Sequence, residues 1–394
     1  MARADLRYTA WPEPRQKTKM PSPRPTLRWQ LQFLRGFLGG NRALTGPHTA
    51  IVDVTDRCNL HCFACPRHAP DAPKQSTRPQ DLPWDDFQKL CRECQTLGVA
   101  KMVFIGQGEP MFNPRLPDMI RLAKSAGMAL VLITNGTLLD ATAAEALLSA
   151  GLDELRVSLW ASTPEEYAHN CAGNSPELFA RVVSGLKTLS RMRRERRQRL
   201  PRIVLHRPIE REFFHALEGM LDLARDTGCD ALSFSPLKPL AGMHRERGLH
   251  PDEEKQLIPI LKRLHSRARK CGLATNVPET LRRYHIGEQV WRSIPCTMGW
   301  IDVRIRTNGD VLVCGTCQAS LGNIHNSSLR EIWNGAAFQR FRAAARSEQT
   351  FSALAPTCDC AFCCHASTNA RLHRFLRWIP RRGSNTTLEP RCNF

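Results

Sequence analysis

Three cysteines crowd one short stretch, Asp53-Val-Thr-Asp-Arg-Cys58-Asn-Leu-His-Cys62-Phe-Ala-Cys65-Pro-Arg67. Spacings of four and three residues let three thiolates wrap one corner of a cubane. A four-iron cluster ordinarily takes four cysteines. A loop that offers three therefore leaves one iron open, and an open iron can chelate a ligand through nitrogen and oxygen. Zinc is the other metal that clustered thiolates hold, but zinc knuckles favour Cys-x2-Cys pairs that supply four ligands. The chain has 16 cysteines, bunched at 58–65, 296–317 and 358–364. The N-terminal run MARADLRYTAWPEPRQKTK lacks the apolar centre of a secretory signal. The expected compartment is thus cytoplasmic, where clustered cysteines are metal ligands more often than disulfides. Cys91 and Cys94 form another Cys-x2-Cys, but inside a helical pattern, which reads as buried structural thiols.

The elements that must position the first loop follow from periodicity. Strand-like runs at Ala50–Thr55, Ala100–Ile105, Ala129–Thr134, Asp153–Leu159, Pro201–His206 and Cys229–Phe234 alternate with helical patterns at Trp84–Leu97, Leu116–Ala126, Asp140–Ala150, Pro176–Arg194 and Glu210–Thr227. Such alternation predicts an α/β fold with a parallel sheet and right-handed crossovers. Its chemistry belongs at the C-terminal ends of the strands. Cys58 follows strand one, Glu109 strand two and Asn135 strand three, and Ser158 lies within strand four. After Pro239 the pattern changes to a basic helix over Pro251–Cys271 and then a cysteine-bearing region with one clear helix near Leu329–Arg342. The expected division is a basic extension over 1–47, with a short amphipathic helix at Trp29–Phe37, an α/β unit over 48–285, and a small cysteine-rich unit with its tail over 286–394.

The cysteine loop after a first strand resembles that of the radical S-adenosylmethionine (SAM) superfamily, over roughly residues 48–240. The resemblance implies a partial (β/α)6 TIM-like barrel and a [4Fe-4S] cluster on Cys58, Cys62 and Cys65 that reduces SAM. Phe104-Ile-Gly-Gln-Gly-Glu-Pro110 is similar to the family's glycine-rich motif, with Gln107 in place of its first glycine. That implies close backbone approach to the ligand at Gly108 and a carboxylate for the SAM ammonium at Glu109. Asn135 and Ser158 match positions that contact SAM in many members. Two departures stand out: Ala64 where an aromatic is common, and Ala168-His169-Asn170-Cys171 after Tyr167 where an arginine usually holds the SAM carboxylate.

Farther on, Cys296, Trp300, Gly309-Asp310, Cys314, Gly322-Asn-Ile324 and Glu331-Ile-Trp333 resemble the SPASM/twitch extension of such enzymes. A turn at Gly309-Asp310 is expected to bring Cys296 and Cys314 onto adjacent strands. With Cys360 and Cys363 they make a closed four-cysteine site for an auxiliary [4Fe-4S] cluster. Cys317, Cys358, Cys364 and Cys392 are further thiols, but their spacing does not match the family's two-cluster pattern, which favours one auxiliary cluster.

The resemblance implies an enzyme that splits SAM to a 5′-deoxyadenosyl radical and abstracts hydrogen from a substrate carbon. The outcome would be dehydrogenation, epimerisation or cross-linking of a small, sugar-like or peptide substrate. With about fifty residues ahead of the barrel, too few for a leader-binding domain, the expectation tilts toward the small substrate. A formal net charge of +19 favours acidic partners, among them an electron donor such as flavodoxin or ferredoxin. It also keeps open a non-enzymatic iron–sulfur or zinc protein that binds nucleic acid, although aromatics are not interleaved with the basic runs. The run Arg191–Arg199 reads as a solvated helix end. No apolar run is long enough to cross a bilayer. No motif encodes the substrate-binding residues or the group that quenches a substrate radical.

Overall fold

A computed structural model describes residues 25–72, 78–171, 176–237, 245–286, 294–315, 317–346, 363 and 365–376. Helix α1 (Leu27–Gly39) leads to strand β1 (Thr49–Asp53). There follow α2 (Trp84–Leu97), β2 (Lys101–Ile105), α3 (Leu116–Ser125), β3 (Ala129–Thr134), α4 (Ala141–Ala150), β4 (Glu154–Ser158), α5 (Pro164–Asn170), α6 (Pro176–Glu195), β5 (Arg202–Ile209), α7 (Gly219–Asp226), β6 (Ala231–Pro236), α8 (Pro251–Lys270), β7 (Ala274–Thr275) and α9 (Val277–Ile286). The C-terminal part adds β8 (Asp302–Ile305), β9 (Val311–Leu312), α10 (Leu329–Trp333), α11 (Ala336–Ala345) and α12 (Ala366–Leu376).

The strands form one sheet in the order β7-β6-β5-β4-β3-β2-β1-β8-β9. Strands β1 to β7 run parallel, as the alternation predicts. Period-two burial shows why the sheet forms. Met102 and Phe104 of β2 and Leu130 and Leu132 of β3 are fully buried, while the residues between them are only partly so. Helix α2 supplies Phe87, Leu90, Cys91 and Cys94 to the same core. Those two cysteines are thus packing groups, and burial pushes the Cys91 thiol up to about 11. Asp140 caps α4, its Oδ1 accepting from Ala143 N at 2.8 Å.

The structure differs from the sequence expectation in four places. A short seventh parallel strand, β7, continues the sheet past β6. The helix expected over Glu210–Thr227 shortens to α7, because β5 runs on to Ile209 and Glu210 is buried, accepting from Asn170 Nδ2 at 2.7 Å. The helix expected near Leu329–Arg342 breaks into α10 and α11 at Asn334, whose side chain pairs with both backbone groups of Ala43. Most consequential, β8 pairs in parallel with β1, Thr49 opposite Asp302, so the cysteine-rich segment is built into the barrel sheet. Asp53 and Arg304 seal that seam with bonds of 3.0 and 2.9 Å, and Arg304 also donates to Gly315 O. Helix α12 then bridges the segment ahead of β8, through Asn369 and Thr297, to α9, through Arg371 and Glu279.

Candidate active site

The cysteine loop leaves β1 and is clamped from both sides. Gly108 N donates to Thr55 O at 3.1 Å and Glu109 N to Arg57 O at 2.7 Å. A Cβ at Gly108 would lie 2.1 Å from Arg57 O, so only glycine allows this approach. The bare backbone at Gly108 therefore serves the loop that carries the cysteines. At the far end, His68 Nε2 contacts Gln107 O at 2.9 Å, and His68 N donates to Cys65 Sγ at 3.3 Å.

Cys58, Cys62 and Cys65 are half-buried at this one site. Burial pushes the Cys58 thiol up to about 11, and the neighbouring Cys62 and Cys65 add to the shift. Burial also raises Cys65, while Cys62 is raised first by its contact with Cys171 and then by burial. Without a metal such thiols stay protonated, and binding one releases their protons. Among the described residues no three histidine, cysteine or carboxylate side chains converge on a single metal ion. A cubane carries its thiolates on separate irons, so the donor set fits a cluster.

Glu109 is 2% exposed and accepts three hydrogen bonds. Thr134 Oγ1 donates at 2.5 Å and Met111 N at 3.1 Å to Oε1, and Asn135 N at 2.6 Å to Oε2. All three donors are neutral. Burial pushes the carboxyl up to about 6, against those hydrogen bonds. A buried carboxylate with only neutral partners is a seat for a cation, as the ammonium of a bound amino acid would be. Asn135 works in two directions, its backbone holding Glu109 and its side chain holding the cysteine loop. Its Nδ2 donates to Asn59 Oδ1 at 3.0 Å, Asn59 Nδ2 to Thr137 Oγ1 at 2.9 Å, and Thr137 Oγ1 back to Asn135 Oδ1 at 2.7 Å. Ser158 ends β4, half-buried, opposite His206 of β5.

One neighbour was missed by sequence reasoning. Cys171 Sγ lies 3.6 Å from Cys62 Sγ, and the two residues form an antiparallel bridge. Phe63 N donates to Asn170 O beside it. The signal was present, since Cys171 stands in the stretch where an arginine was expected.

In the C-terminal part, Cys296, Cys314 and Cys317 are all buried and feel one another. Burial, with Cys314 and Cys317 adding, pushes the Cys296 thiol up to about 12. The turn at Gly309 forms and β8 and β9 are antiparallel, but Cys296 lies ahead of β8 and Cys314 just past β9. The expectation that both would sit on strands is corrected. Cys296 is held by its N–H on Ala345 O at 2.9 Å, in a stretch outside any helix or strand. Cys363 is buried beside Ile294 and Ala370. Cys360, Cys358, Cys364 and Cys392 lie outside the described residues. A cavity of about 460 Å³ opens between the cysteine loop and β4 to β6, from Ala64 and Trp160 to Arg156 and Arg283.

Residues 52–207 match the family model of the radical SAM superfamily. The chain belongs to that superfamily. Residues 296–368 of this radical SAM enzyme match the model of SPASM, an iron–sulfur cluster-binding domain. SAM and [4Fe-4S] clusters, one for SAM cleavage and at least one auxiliary, are its cofactors. Among curated relatives, a PqqA peptide cyclase of Xanthomonas campestris is 26% identical over 76% of this chain and 77% of its own. A tungsten-containing aldehyde ferredoxin oxidoreductase cofactor-modifying protein of Pyrococcus furiosus is 27% identical over 79% and 86%. Of solved structures, SuiB of Streptococcus suis bound to the precursor peptide SuiA superposes with a TM-score of 0.60 at 14% identity, over 92% of this radical SAM chain and 81% of SuiB. No described helix is long and apolar enough to cross a membrane.

Proposed function

We propose that this radical SAM enzyme takes a hydrogen atom from a carbon of a peptide substrate and completes a net oxidation, epimerisation or cross-link with help from an auxiliary cluster. The observation that carries the reading is buried Glu109, ringed by neutral donors and hydrogen-bonded through its backbone to the cysteine loop. When bound, the first cluster supplies the electron that cleaves SAM to methionine and a 5′-deoxyadenosyl radical. The chain's own residues do the rest. Cys58, Cys62 and Cys65 would hold three irons and leave the fourth open. Glu109 would seat the SAM ammonium, and the Asn59–Asn135–Thr137 ring keeps that seat in register with the loop. Trp160 lines the cavity and packs edge-on against buried Phe63, with ring centroids 5.7 Å apart, which keeps apolar surface beside the site.

A peptide is favoured over a sugar-like compound because a PqqA peptide cyclase and SuiB with a bound precursor peptide each align with three quarters or more of this chain. An acidic electron-transfer protein is the fitting donor for a chain of formal charge +19. Cys296, Cys314, Cys360 and Cys363 are the candidate auxiliary ligands, and Cys317 lies close to Cys296 and Cys314. The test is anaerobic turnover of SAM to 5′-deoxyadenosine by reconstituted protein and a strong reductant. Wild type and a Cys360→Ala/Cys363→Ala variant should both form it, and a Cys58→Ala/Cys62→Ala/Cys65→Ala variant should not. Persistence in the triple variant would overturn the assignment.

A further inference from the structure

The cavity below the cysteine loop carries a charge pattern that names its occupant. Its lining includes Ala64 and Trp160 beside the cysteine loop and β4, Arg156 of β4 and Arg283 of α9. Arg156 precedes Ser158 by two residues on the same strand, so it lies about 7 Å deeper than the SAM-facing end. Both guanidiniums are incompletely used. Arg156 Nη2 donates to Glu154 Oε1 at 2.7 Å and Arg283 Nη2 to Cys363 O at 3.3 Å, yet the Nε of each is buried with no hydrogen-bond partner.

The surrounding acids do not neutralise the pair. Glu154 is shared between Arg156 and Arg202. Lys101, whose ammonium burial depresses, lies in the field of Arg156 as well. Glu279 also lines the cavity, but Arg371 holds its Oε1 at 2.8 Å. Asp302 faces His365 at 3.6 Å. His206 completes the polar wall, between Ser233 Oγ at 3.3 Å and Ser235 Oγ at 3.4 Å. A volume of about 460 Å³ takes a residue-sized ligand and not an extended polymer.

We infer that Arg156 and Arg283 form a carboxylate-binding floor, so that the peptide this enzyme acts on is anchored by an acidic group placed beneath SAM. This rests on the proposed peptide-modifying function and adds the chemistry of the anchoring group. A guanidinium fork matches a planar carboxylate, and two guanidinium side chains in the wall of one cavity provide the donors. The carboxylate could be an acidic side chain or a chain terminus.

The test uses full-length reconstituted protein with SAM present and ligand-observed NMR titration. The probes are N-acetylglutamate α-amide for the side-chain source, N-acetylalanine for the terminal source, and N-acetylglutamine α-amide as the neutral isostere. At least one acid should bind tenfold or more tightly than the neutral amide, and which acid binds identifies the source. Arg283→Gln should erase that preference, and Arg283→Lys should keep part of it. Arg156→Gln should do the same, with unchanged SAM affinity as evidence that the barrel is folded. Equal binding of acid and amide, or an acid preference that survives both glutamine variants, overturns the inference. So does a matching loss of SAM affinity in variants whose circular dichroism equals wild type, which would place the arginines on SAM's own carboxylate. If acids bind as described but SAM is never cleaved, the carboxylate floor stands and the proposed function falls.

Discussion

Replacing Glu109 with Gln separates the charge at this position from its shape. Burial raises the carboxyl from 4.5 to about 6. At 1.36 kcal/mol per pH unit, that corresponds to about 2 kcal/mol of folding stability. The sign follows from the protons. The unfolded chain releases the Glu109 proton at lower pH than the folded one, so ligand-free stability falls as pH rises from 4.5 through 6 and stays at the lower value above. The neutral amide of the Glu109→Gln variant would escape that cost at neutral pH. It would also turn an amide N–H toward the N–H of either Asn135 or Met111, which costs about 1–3 kcal/mol. The two effects nearly cancel, so the variant should unfold within about 1 kcal/mol of wild type at pH 7.5. SAM binding has no such compensation. A charge-assisted bond contributes about 1.5–3 kcal/mol, so affinity should drop roughly ten- to a hundredfold. In wild type, SAM affinity should hold above pH 6 and weaken below it as Glu109 takes up its proton. In the variant that pH dependence should vanish. Anaerobic calorimetric titration of SAM from pH 5.5 to 8, on protein of verified iron content, reads both. Wild-type affinity and pH profile in the variant would refute the ammonium seat.

The remaining predictions are simpler. Changing Cys58, Cys62 and Cys65 together to Ala should remove about half the iron of reconstituted protein by colourimetric assay, one cluster of two, and full retention would contradict the site. In cluster-free protein exposed to air, Cys62 and Cys171 should form a disulfide, given their contact of 3.6 Å. Non-reducing peptide mapping would detect it, and Cys171→Ser should abolish it while sparing cluster assembly. Arg304→Met should strand the buried Asp53 carboxylate and lower stability by about 3–5 kcal/mol in urea unfolding.

What the sequence revealed was what is local. Strands β1 to β6 announce themselves by short apolar runs that alternate with helical patterns, and the cysteine loop by its spacing. Glu109 and Asn135 were singled out because their motifs resemble the family's and follow strands two and three, where a parallel sheet gathers its chemistry. Burial of Cys91 and Cys94 followed from their place on a helix. Partners distant in the chain were not legible. Asp302–Ile305 is a strand of four residues, and nothing within it says that β1 is its neighbour. Cys171 could be noted as a departure, but its contact with Cys62 depends on how α5 returns the chain to the loop. Arg156 was read only as part of a strand, because facing a cavity is a property of the closed barrel. The break at Asn334 depends on Ala43, nearly three hundred residues earlier.

The parallel pairing of β8 with β1 also sets a timetable for synthesis. Thr49 leaves the ribosome long before Asp302, its partner on that side. At roughly 5–20 residues per second, the gap of about 250 residues lasts roughly 12–50 s. Throughout that interval the outer edge of β1, the strand that launches the cysteine loop, has no neighbour of its own chain to pair with. A nascent chain in this state presents a bare strand edge beside three reactive thiols. Late truncations that remove β8 are therefore more damaging to the first half of the protein than their position suggests.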